Sequence, residues 1–497
     1  MKKITQFMYS AHRILGTIMC LVFMTWFLSA FIMMYHHFPH VSNNEIIRKN
    51  KKLSSSSEQS PSITSIIKRL PPNAEIKGIT LDCRLKQTVF HIKTNKGQFD
   101  FPSDSLKELS KINKEFISNT AQLWCNAPIE RIDTLNELDQ WTPYIRLKKE
   151  IPIYKIYFLD KEKTQLYIGS KSGEVLQFSN QKERFWSWIG AIPHWAYFSW
   201  LRQNPDLWFK TIIFLTGLGC LMLVAGFWVA IDVWRKTHTH LIHKFSPYRK
   251  KWYHWHYVSG IFFGFFVLTF TFSGMMSMID HPAWIRKSIF MIEPQVSLRL
   301  KMPKIENYVL DYWKLIKAYP NIRQIEWNNF DGHPYYTITD GKKEQYIDAK
   351  DSIPRPLFLS KTEILHSLES LYKNNVPGTK IPQIKLTPIT HYETYYRDMS
   401  NMMKERRQLP VWKAVVEDPN NSIFYIHPET GDIRYVDTAS RWKYWSFTAL
   451  HRMRFPGLCS NITLRKALLW ILLLGGSVVS LSGVVLGIKY IKRKIRL

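Results

Sequence analysis

Four long apolar runs without a charged residue constrain the fold more than any other feature of this sequence. An α-helix rises about 1.5 Å per residue, so about 20 residues cross the roughly 30 Å hydrocarbon layer of a bilayer. The four runs have this length and cover residues 14–35, 211–231, 257–279 and 467–488. The first run exceeds the apolar stretch of a cleavable signal peptide, and no small-residue cleavage site follows it. We therefore expect all four to remain as spans.

Lysine and arginine crowd the short segments that flank these spans. The basic residues are Lys2, Lys3, Arg13, Arg235, Lys236, Lys244, Arg249, Lys250, Lys251, Lys489, Lys492, Arg493, Lys494 and Arg496. Basic flanks favour the cytoplasmic side, so both termini and the loop between spans two and three are predicted inside. The predicted units are the N-terminus with span one (1–35), a first outer domain with an interfacial helix (36–206), span two (207–231), an inner loop (232–256), span three (257–279), a second outer domain (280–466), and span four with a basic tail (467–497).

The net charge of +29 is shared between the inner flanks and the outer segments. The flanks hold 14 basic residues and one acidic residue, Asp232, so more than half of the positive charge belongs to the rest of the chain. A basic outer surface can meet anionic lipid headgroups or an acidic ligand, or it can be an ordinary basic surface. Nucleic acid is not an expected partner outside the membrane.

Cysteine and motif content narrow the chemistry further. The five cysteines form no CxxC pair, and Cys83 and Cys125 share the first outer segment, where oxidation is possible. A disulfide between these two is therefore predicted. The sequence contains no P-loop, GxGxxG or HExxH motif and no recognisable nucleophile–base pair, so hydrolysis and nucleotide chemistry have no support.

The chain repeats itself. A shift of 244 positions places Tyr9, His12, Gly16, Thr25, Ser29 and Met34 on Tyr253, His256, Gly260, Thr269, Ser273 and Met278. A shift of 257 places Arg184, Trp188, His194, Phe198, Leu201, Gly219 and Gly226 on Arg441, Trp445, His451, Phe455, Leu458, Gly476 and Gly483. The sequence thus predicts two tandem repeats related by a pseudo-twofold axis along the membrane normal, with duplicated residues facing each other at equal depth.

The outer segments show a mixed pattern of strands and helices. In the first segment, strands are predicted at 75–81, 88–94, 97–101, 153–158, 165–168 and 174–178, with helices at 62–70 and 103–117. In the second, strands are predicted at 322–327, 335–339, 345–347, 411–416, 423–426 and 433–436, with helices at 308–319 and 361–372. The predicted class is therefore a membrane α+β protein with two outer α+β domains.

Four histidines are the main candidates for chemistry. His12 and His256 lie at the inner ends of spans one and three, each one turn before a glycine that leaves room for a flat, bulky group. His194 and His451 precede spans two and four within aromatic stretches. Two imidazoles from opposite helices suit a haem iron with both axial positions filled, and they also suit other metals. A single histidine at a helix end is more often a cap, but duplication at two depths favours ligation.

Other candidates carry less weight. The clusters His36, His37 and His40 and then His238, His240 and His243 have spacings that a metal can use, but interfacial or solvated roles are expected. Asp280, at the outer mouth of span three, is placed either as a polar cap or near a substrate. Five methionines in spans one and three could supply a thioether to iron, but methionine at helical spacing in a span is usually a packing residue. The five methionines are Met33, Met34, Met275, Met276 and Met278.

Seven stretches resemble one known family. They are HRILG at His12, ELDQW ending at Trp141, SGEV at Gly173, ERFWSWIGAIPHWAYF ending at Phe198, YRKKWYHWHYVSG ending at Gly260, HPETGDI at Gly431 and FTALHRMRFPGL ending at Leu458. Together they are similar to the PepSY-associated transmembrane proteins, the iron-regulated membrane protein family. The resemblance covers nearly the whole chain, and the ERFWxWxGAxPHW element is its most specific part.

The resemblance implies a function as well as a fold. Some members of that family look like bacterial inner-membrane reductases of ferric siderophores, with two b-type haems in a four-helix core and PepSY domains in the periplasm. It implies that His12, His256, His194 and His451 bind haem iron, and that a ferric siderophore or similar iron chelate is the substrate of an oxidoreductase. A flavin domain fused in some relatives is not found here, so a separate quinol or cytoplasmic reductase is the expected electron donor.

Two alternatives stay open. In the first, the outer PepSY-like domains are a binding or regulatory module that the helices only anchor, without redox activity. In the second, the chain is a haem-containing permease for the chelate, which the lack of charged residues inside the spans disfavours.

Overall fold

Four helices in the structure are long and apolar enough to cross a membrane. The computed structural model describes residues 2–53, 63–84, 87–103, 112–237, 246–279, 281–286, 288–300, 305–375, 380–397 and 407–495. The first to fourth long helices are Lys2–Met33, Pro205–Thr237, Lys251–Met278 and Ile462–Ile495. Each overlaps one predicted span, and the rest of the described chain is rich in sheet. The structure thus supports a membrane-embedded chain of the α+β class.

The four long helices form a bundle in which the first and third lie on one diagonal. Each of these two packs against both the second and the fourth. At one end, the Tyr9 hydroxyl donates to Asp232 (3.0 Å), and at the other end Trp470 Nε1 donates to the Tyr35 hydroxyl (2.9 Å). These contacts place the start of the first helix beside the end of the second, and the end of the first beside the start of the fourth. Both outer segments therefore lie beyond the same end of the bundle.

Fifteen strands lie in the described part of the outer segments. They are β1 (Ile76–Arg84), β2 (Gln87–Thr94), β3 (Gly97–Pro102), β4 (Ile129–Leu135), β5 (Ile153–Phe158), β6 (Gln165–Gly169), β7 (Val175–Ser179), β8 (Gln324–Phe330), β9 (His333–Thr339), β10 (Glu344–Asp348), β11 (Arg355–Pro356), β12 (Ile384–Ile389), β13 (Val411–Val416), β14 (Ile423–Ile426) and β15 (Ile433–Val436). They form one seven-stranded and two four-stranded antiparallel sheets.

Short helices connect and cover these sheets. The α-helices are Asn43–Lys49, Ile63–Ile67, Lys114–Trp124, Gln181–Ile189, Ala191–Trp195, Ser199–Arg202, Pro294–Leu300, Tyr312–Ala318, Lys361–Asn375, Thr438–Lys443, Leu450–Arg452 and Pro456–Cys459. Tight 3-10 turns cover Ile145–Glu150 and Ile305–Asn307, and Tyr444–Ala449 is π-helical.

The seven-stranded sheet contains strands from both outer segments. Its order is β11-β10-β9-β8-β1-β2-β3, and β1 of the first segment pairs with β8 of the second. Leu81 lies opposite Ile325 in this pairing, and both are fully buried in one core. The sequence assigned the segments 36–206 and 280–466 a domain each, whereas the structure joins part of each in a shared sheet and a shared core.

The two four-stranded sheets belong to one outer segment each. β4 to β7 form a meander covered by the helix Lys114–Trp124, and β12 to β15 form a second meander covered by the helix Lys361–Asn375. The strands β5 to β7 and β13 to β15 begin 258 positions apart, so the meanders repeat along the chain. All twelve predicted strands are present, whereas the edge strands β4, β11 and β12 were missed: β4 is largely exposed, β11 has two residues and β12 contains a proline. Residues 104–111 of the helix predicted at 103–117 lie outside the described residues, and the described helix begins at Lys114.

The predicted disulfide between Cys83 and Cys125 is wrong. All five cysteines are free in the structure. Cys83 is buried in the core of the seven-stranded sheet, while Cys125 follows the helix Lys114–Trp124 and packs against the core of the first meander. The two cysteines pack in different cores and are not paired, so their common outer segment was a poor guide to disulfide formation.

The shared sheet can be tested by cross-linking. Thr80 and Glu326 lie opposite each other in the β1–β8 pairing, so we expect Thr80→Cys with Glu326→Cys to form a disulfide. A protease site inserted in the segment 238–245 separates the two halves of the chain after cleavage. We expect the halves to migrate together on a non-reducing gel.

The matched control moves one cysteine along the same strand. Thr80→Cys with Gln324→Cys forms a diagonal pair, which we expect to cross-link less because the Cβ atoms are further apart. Equal yields from the direct pair, the diagonal pair and Thr80→Cys alone would contradict the β1–β8 register.

Candidate functional site

His12 and His256 lie close together in the bundle, near the ends of the long helices that adjoin the basic segments. They lie on the first and third long helices, which occupy one diagonal, so their side chains point towards each other across the bundle. The centres of their rings are 6.1 Å apart, and the ring planes are inclined by 37°. We call this the inner pair.

His194 and His451 meet at the opposite end of the bundle. They lie on the short helices Ala191–Trp195 and Leu450–Arg452, which pack on the first and third long helices respectively. The centres of their rings are 6.3 Å apart, with the planes inclined by 57°. This is the outer pair. The structure therefore brings all four histidines together in the two couples that the sequence repeat predicts.

The two short helices of the outer pair end in the same unusual way. Ala196 and Met453, each two residues after a histidine of the pair, have left-handed backbone conformations with φ of 50° and 49°. This conformation costs a residue with a side chain roughly 1–2 kcal/mol. The same strained conformation occurs at equivalent positions in both halves. This indicates that the sharp turn after each histidine helps to position that histidine. Sequence reasoning missed both residues because neither is a glycine.

The ring separations distinguish between possible contacts. A direct hydrogen bond between two imidazole nitrogens about 2.9 Å apart would place the ring centres about 5 Å apart. Two imidazoles on opposite sides of one metal ion, each nitrogen about 2.0–2.1 Å from the metal, would place them about 6.3 Å apart. The observed 6.1 and 6.3 Å match the second arrangement.

The Nδ1 atoms of the outer pair are held by the long helices. Nδ1 of His194 lies 3.2 Å from the carbonyl oxygen of Trp26 and 3.2 Å from the Ser29 hydroxyl. Nδ1 of His451 lies 3.1 Å from the carbonyl oxygen of Phe270 and 3.1 Å from the Ser273 hydroxyl. Phe270 and Ser273 are the repeat equivalents of Trp26 and Ser29, 244 positions later. Both hydroxyls donate to those same carbonyls, so each Nδ1 must donate.

In the inner pair, too, each Nδ1 donates a hydrogen bond. His12 donates from Nδ1 to the carbonyl of Met222 (3.1 Å), and His256 donates to the Ser482 hydroxyl (2.9 Å). A hydrogen on Nδ1 leaves Nε2 as the unprotonated nitrogen of a neutral imidazole. Within the described residues, Nε2 of none of the four rings has a hydrogen-bond partner. This is the tautomer and the second contact that histidine ligands of metals have.

Glycines shape the space around the inner pair. Gly226 packs against His12 so closely that a Cβ built on it would lie 2.7 Å from His12 Cε1, and Gly483, 257 positions later, faces His256 Cε1 at 3.6 Å. Gly16 and Gly260, one turn from each histidine, have open space where a Cβ would stand. The residues present thus fit a flat group beside the inner pair.

Two phenylalanine rings are neighbours of the outer pair. The ring centres of Phe447 and Phe270 lie 5.4 and 6.0 Å from that of His451. Phe447 begins the FTALHRMRFPGL stretch, whereas Phe270 lies on the third long helix outside the quoted stretches. Trp188 and Trp445 are 49% and 43% exposed, so they do not enclose the outer pair.

The weaker histidine candidates do not form a metal site in the described residues. His36 stacks on Trp186, with ring centres 4.4 Å apart, and no group of three or more possible metal-binding side chains occurs in this part of the chain. His238, His240, His243 and Asp280 lie outside the described residues. A tetrahedral zinc site needs about four protein ligands, so the two-histidine couples are better suited to a metal whose other positions a macrocycle fills.

A polar cleft of about 490 Å³ lies in the outer part, away from the histidine pairs. It is bordered by the polar face of the seven-stranded sheet and by the helices Asn43–Lys49 and Lys114–Trp124. Its carboxylates are Asp82, Glu174, Glu326, Glu344 and Asp432, and its cations are Lys49, Lys93 and Arg299. Burial raises the pKa of the Glu326 carboxyl. Sequence analysis missed this cleft because its walls come from both outer segments.

No protein-family model matches the chain, and no curated protein does either.

The contact between Gly226 and His12 yields a prediction. A valine at position 226 must displace the imidazole of His12. If the inner pair holds a haem, Gly226→Val should lose that haem, which the reduced-minus-oxidised absorbance spectrum would show as a smaller haem band. Gly217→Val is the matched control, because a Cβ at this position of the same helix meets open space. Equal haem content in both variants would show that the close contact does not position His12.

Proposed function

We propose that the chain is a haem b protein of the bacterial inner membrane that passes electrons across the membrane to reduce ferric chelates in iron acquisition. The inner pair would hold one haem and the outer pair a second. The observation that carries this proposal is the spacing of the two pairs. Two couples with ring centres 6.1 and 6.3 Å apart, each with Nδ1 tied to a neighbouring helix, are arranged to hold a metal between them.

The hydrogen bonds of the four imidazoles support electron transfer. A haem with histidine on both faces supplies one-electron chemistry without an open coordination position. The chain's own part is to hold each ring in one tautomer and one orientation, so that little rearrangement accompanies a change of charge. The apolar surroundings of the bundle exclude water from the inner pair.

The placement of the pairs supports a route across the membrane. The inner pair lies near the basic flanks, which favour the cytoplasm, and the outer pair lies at the end that carries the sheets. In the proposed topology the outer segments are PepSY-like domains in the periplasm, and the two halves are tandem repeats. The contacts of the imidazoles support the repeat. Met222 contacts His12, and its equivalent Val479 contacts His256. Ser29 contacts His194, and its equivalent Ser273 contacts His451.

The proposed reaction takes one electron from a separate donor, a quinol or a cytoplasmic reductase, and gives it to a ferric siderophore or similar chelate. Fe(III) is reduced to Fe(II), the donor is oxidised, and no bond to the protein forms. Fe(II) is softer and binds oxygen ligands less strongly, so reduction favours release from the chelate. The activity is that of an oxidoreductase.

Haem counting tests the assignment. We expect the wild-type chain to bind two haems, and His12→Ala or His451→Ala to bind about one, because each removes one of the two axial ligands of one iron. Pyridine-haemochrome quantification of the purified full chain provides the measurement. His36→Ala, which removes an imidazole outside both pairs, should keep both haems. A wild-type chain without a dithionite-reducible haem band would refute the proposal.

The polar cleft favours a second candidate function. Its mixture of carboxylates, amides and hydroxyls suits a hydrophilic ligand, as expected for a membrane-anchored PepSY-like binding or regulatory module without redox activity.

Ligand titration separates this candidate from the first. If the cleft alone defines function, we expect Thr337→Val with Glu326→Gln to weaken binding of a ferric hydroxamate by about tenfold, since the wall loses the Thr337 hydroxyl and exchanges the Glu326 carboxyl for an amide. His12→Ala and His451→Ala would then leave binding and haem content unchanged. Calorimetry on the full chain measures the affinity, and Lys342→Gln, on an exposed turn, serves as the control.

A further inference from the structure

Three arginines lie close together beside the outer pair. Arg452 and Arg454 follow His451 in the chain, and Arg465 is in the first turn of the fourth long helix. The guanidinium of Arg452 lies over the Phe447 ring at 4.9 Å, and that ring lies 5.4 Å from the ring of His451. The cluster is therefore next to the candidate ligand itself.

The cluster is deeply buried. Arg454 and Arg465 are 3% and 6% exposed. Burial, together with the charges of Arg452 and Arg465, lowers the pKa of Arg454 to about 10. The guanidinium groups thus repel one another in a poorly hydrated place, and for Arg452 and Arg465 such an arrangement is costly without a negative partner.

The described residues provide no carboxylate for Arg452 or Arg465. No ion pair joins either guanidinium to an aspartate or glutamate, and Nε of Arg465 is a buried donor without a hydrogen-bond partner in this part of the chain. A lone donor of this kind is unusual in a folded protein, because burying a charged group without a partner costs several kcal/mol. An anion from outside the chain would complete the site.

The first half of the chain builds the same turn with fewer charges. At the positions 257 residues earlier it has the aromatic residues Trp195, Tyr197 and Trp208. The guanidinium of Arg202 lies over the rings of Tyr197 and Trp208 at 5.3 and 4.4 Å. Both halves end this turn in a left-handed residue, Ala196 or Met453. The second half therefore gathers three guanidinium groups at positions where the first half has aromatic rings.

Burial decides which anion fits. A phosphate of a lipid headgroup would require guanidinium groups that reach the membrane surface, as long cationic side chains usually do. Arg465 is 94% buried within the protein and does not reach its surface. The negative groups expected at this depth, beside an imidazole that holds a haem, are the two carboxylates on the edge of the porphyrin.

We propose that Arg452 and Arg465 bind the propionate carboxylates of the haem held by His194 and His451, and thereby fix which way round that haem sits. This inference rests on the proposed function. No covalent bond is made or broken; the two arginines form charge-assisted hydrogen bonds with the carboxylates.

The test compares haem with haem dimethyl ester, whose propionates carry no charge. The full-length His12→Ala chain, in which only the outer pair is complete, is produced without haem and titrated with either porphyrin. We expect the ester to bind about tenfold more weakly or worse than haem. In Arg452→Gln and Arg465→Gln, haem itself should bind more weakly, and the preference for haem over the ester should largely disappear.

Arg131→Gln is the matched control. Its guanidinium also stacks on an aromatic ring, that of Tyr157 at 4.0 Å, but its side chain is 59% exposed and far from the bundle core. This variant should retain the full preference for haem. Folding is checked separately in the wild-type background, where Arg452→Gln and Arg465→Gln should keep the haem of the inner pair.

The possible failures can be told apart. If the wild-type chain takes up two haems and the outer one does not discriminate against the ester, the arginine assignment is wrong and the proposed function stands. If the arginine variants still prefer haem as strongly as Arg131→Gln does, the assignment is likewise wrong. If the wild-type chain takes up no haem, both the proposed function and this inference fail.

Discussion

The hydrogen bond from each imidazole Nδ1 to a neighbouring long helix is the contact on which the site depends. An imidazole alone rotates about its side-chain bonds and exchanges its proton between two nitrogens. Once a carbonyl or a serine that is itself donating takes the Nδ1 hydrogen, the ring has one tautomer and one direction. Each acceptor lies on a long helix other than the helix carrying the histidine, so the site forms only when the bundle is assembled. The geometry at both membrane depths is therefore a property of helix packing.

Duplication explains why much of this was visible in the sequence. The four histidines, Ser29 with Ser273 and Gly226 with Gly483 all fall on one another when the chain is shifted against itself, and the structure places the histidines in the expected couples. The apolar runs predicted the long helices because a bilayer permits few alternatives. The sequence also identifies the serines as matching residues. It does not show that they bind the imidazoles, because this contact depends on how one helix is rotated relative to another.

The sequence did not reveal which distant segments contact each other. The β1–β8 pairing joins residues more than 240 positions apart, and the polar cleft exists only because of it. The same cause defeated the predicted disulfide, since Cys83 is part of a sheet that joins β1 to β3 of the first outer segment to β8 to β11 of the second. Local alternation of apolar and polar residues identifies strands, but it does not specify which strands become neighbours when two similar segments are available.

The shared sheet also limits how the molecule can move. Carriers built from two repeats alternate access by rocking one half against the other, which requires the halves to part on each side of the membrane in turn. Here seven hydrogen-bonded strands bridge both halves on one side, and a sheet cannot be stretched without losing its ladder. A clamp of this kind resists the rocking motion on which such carriers depend.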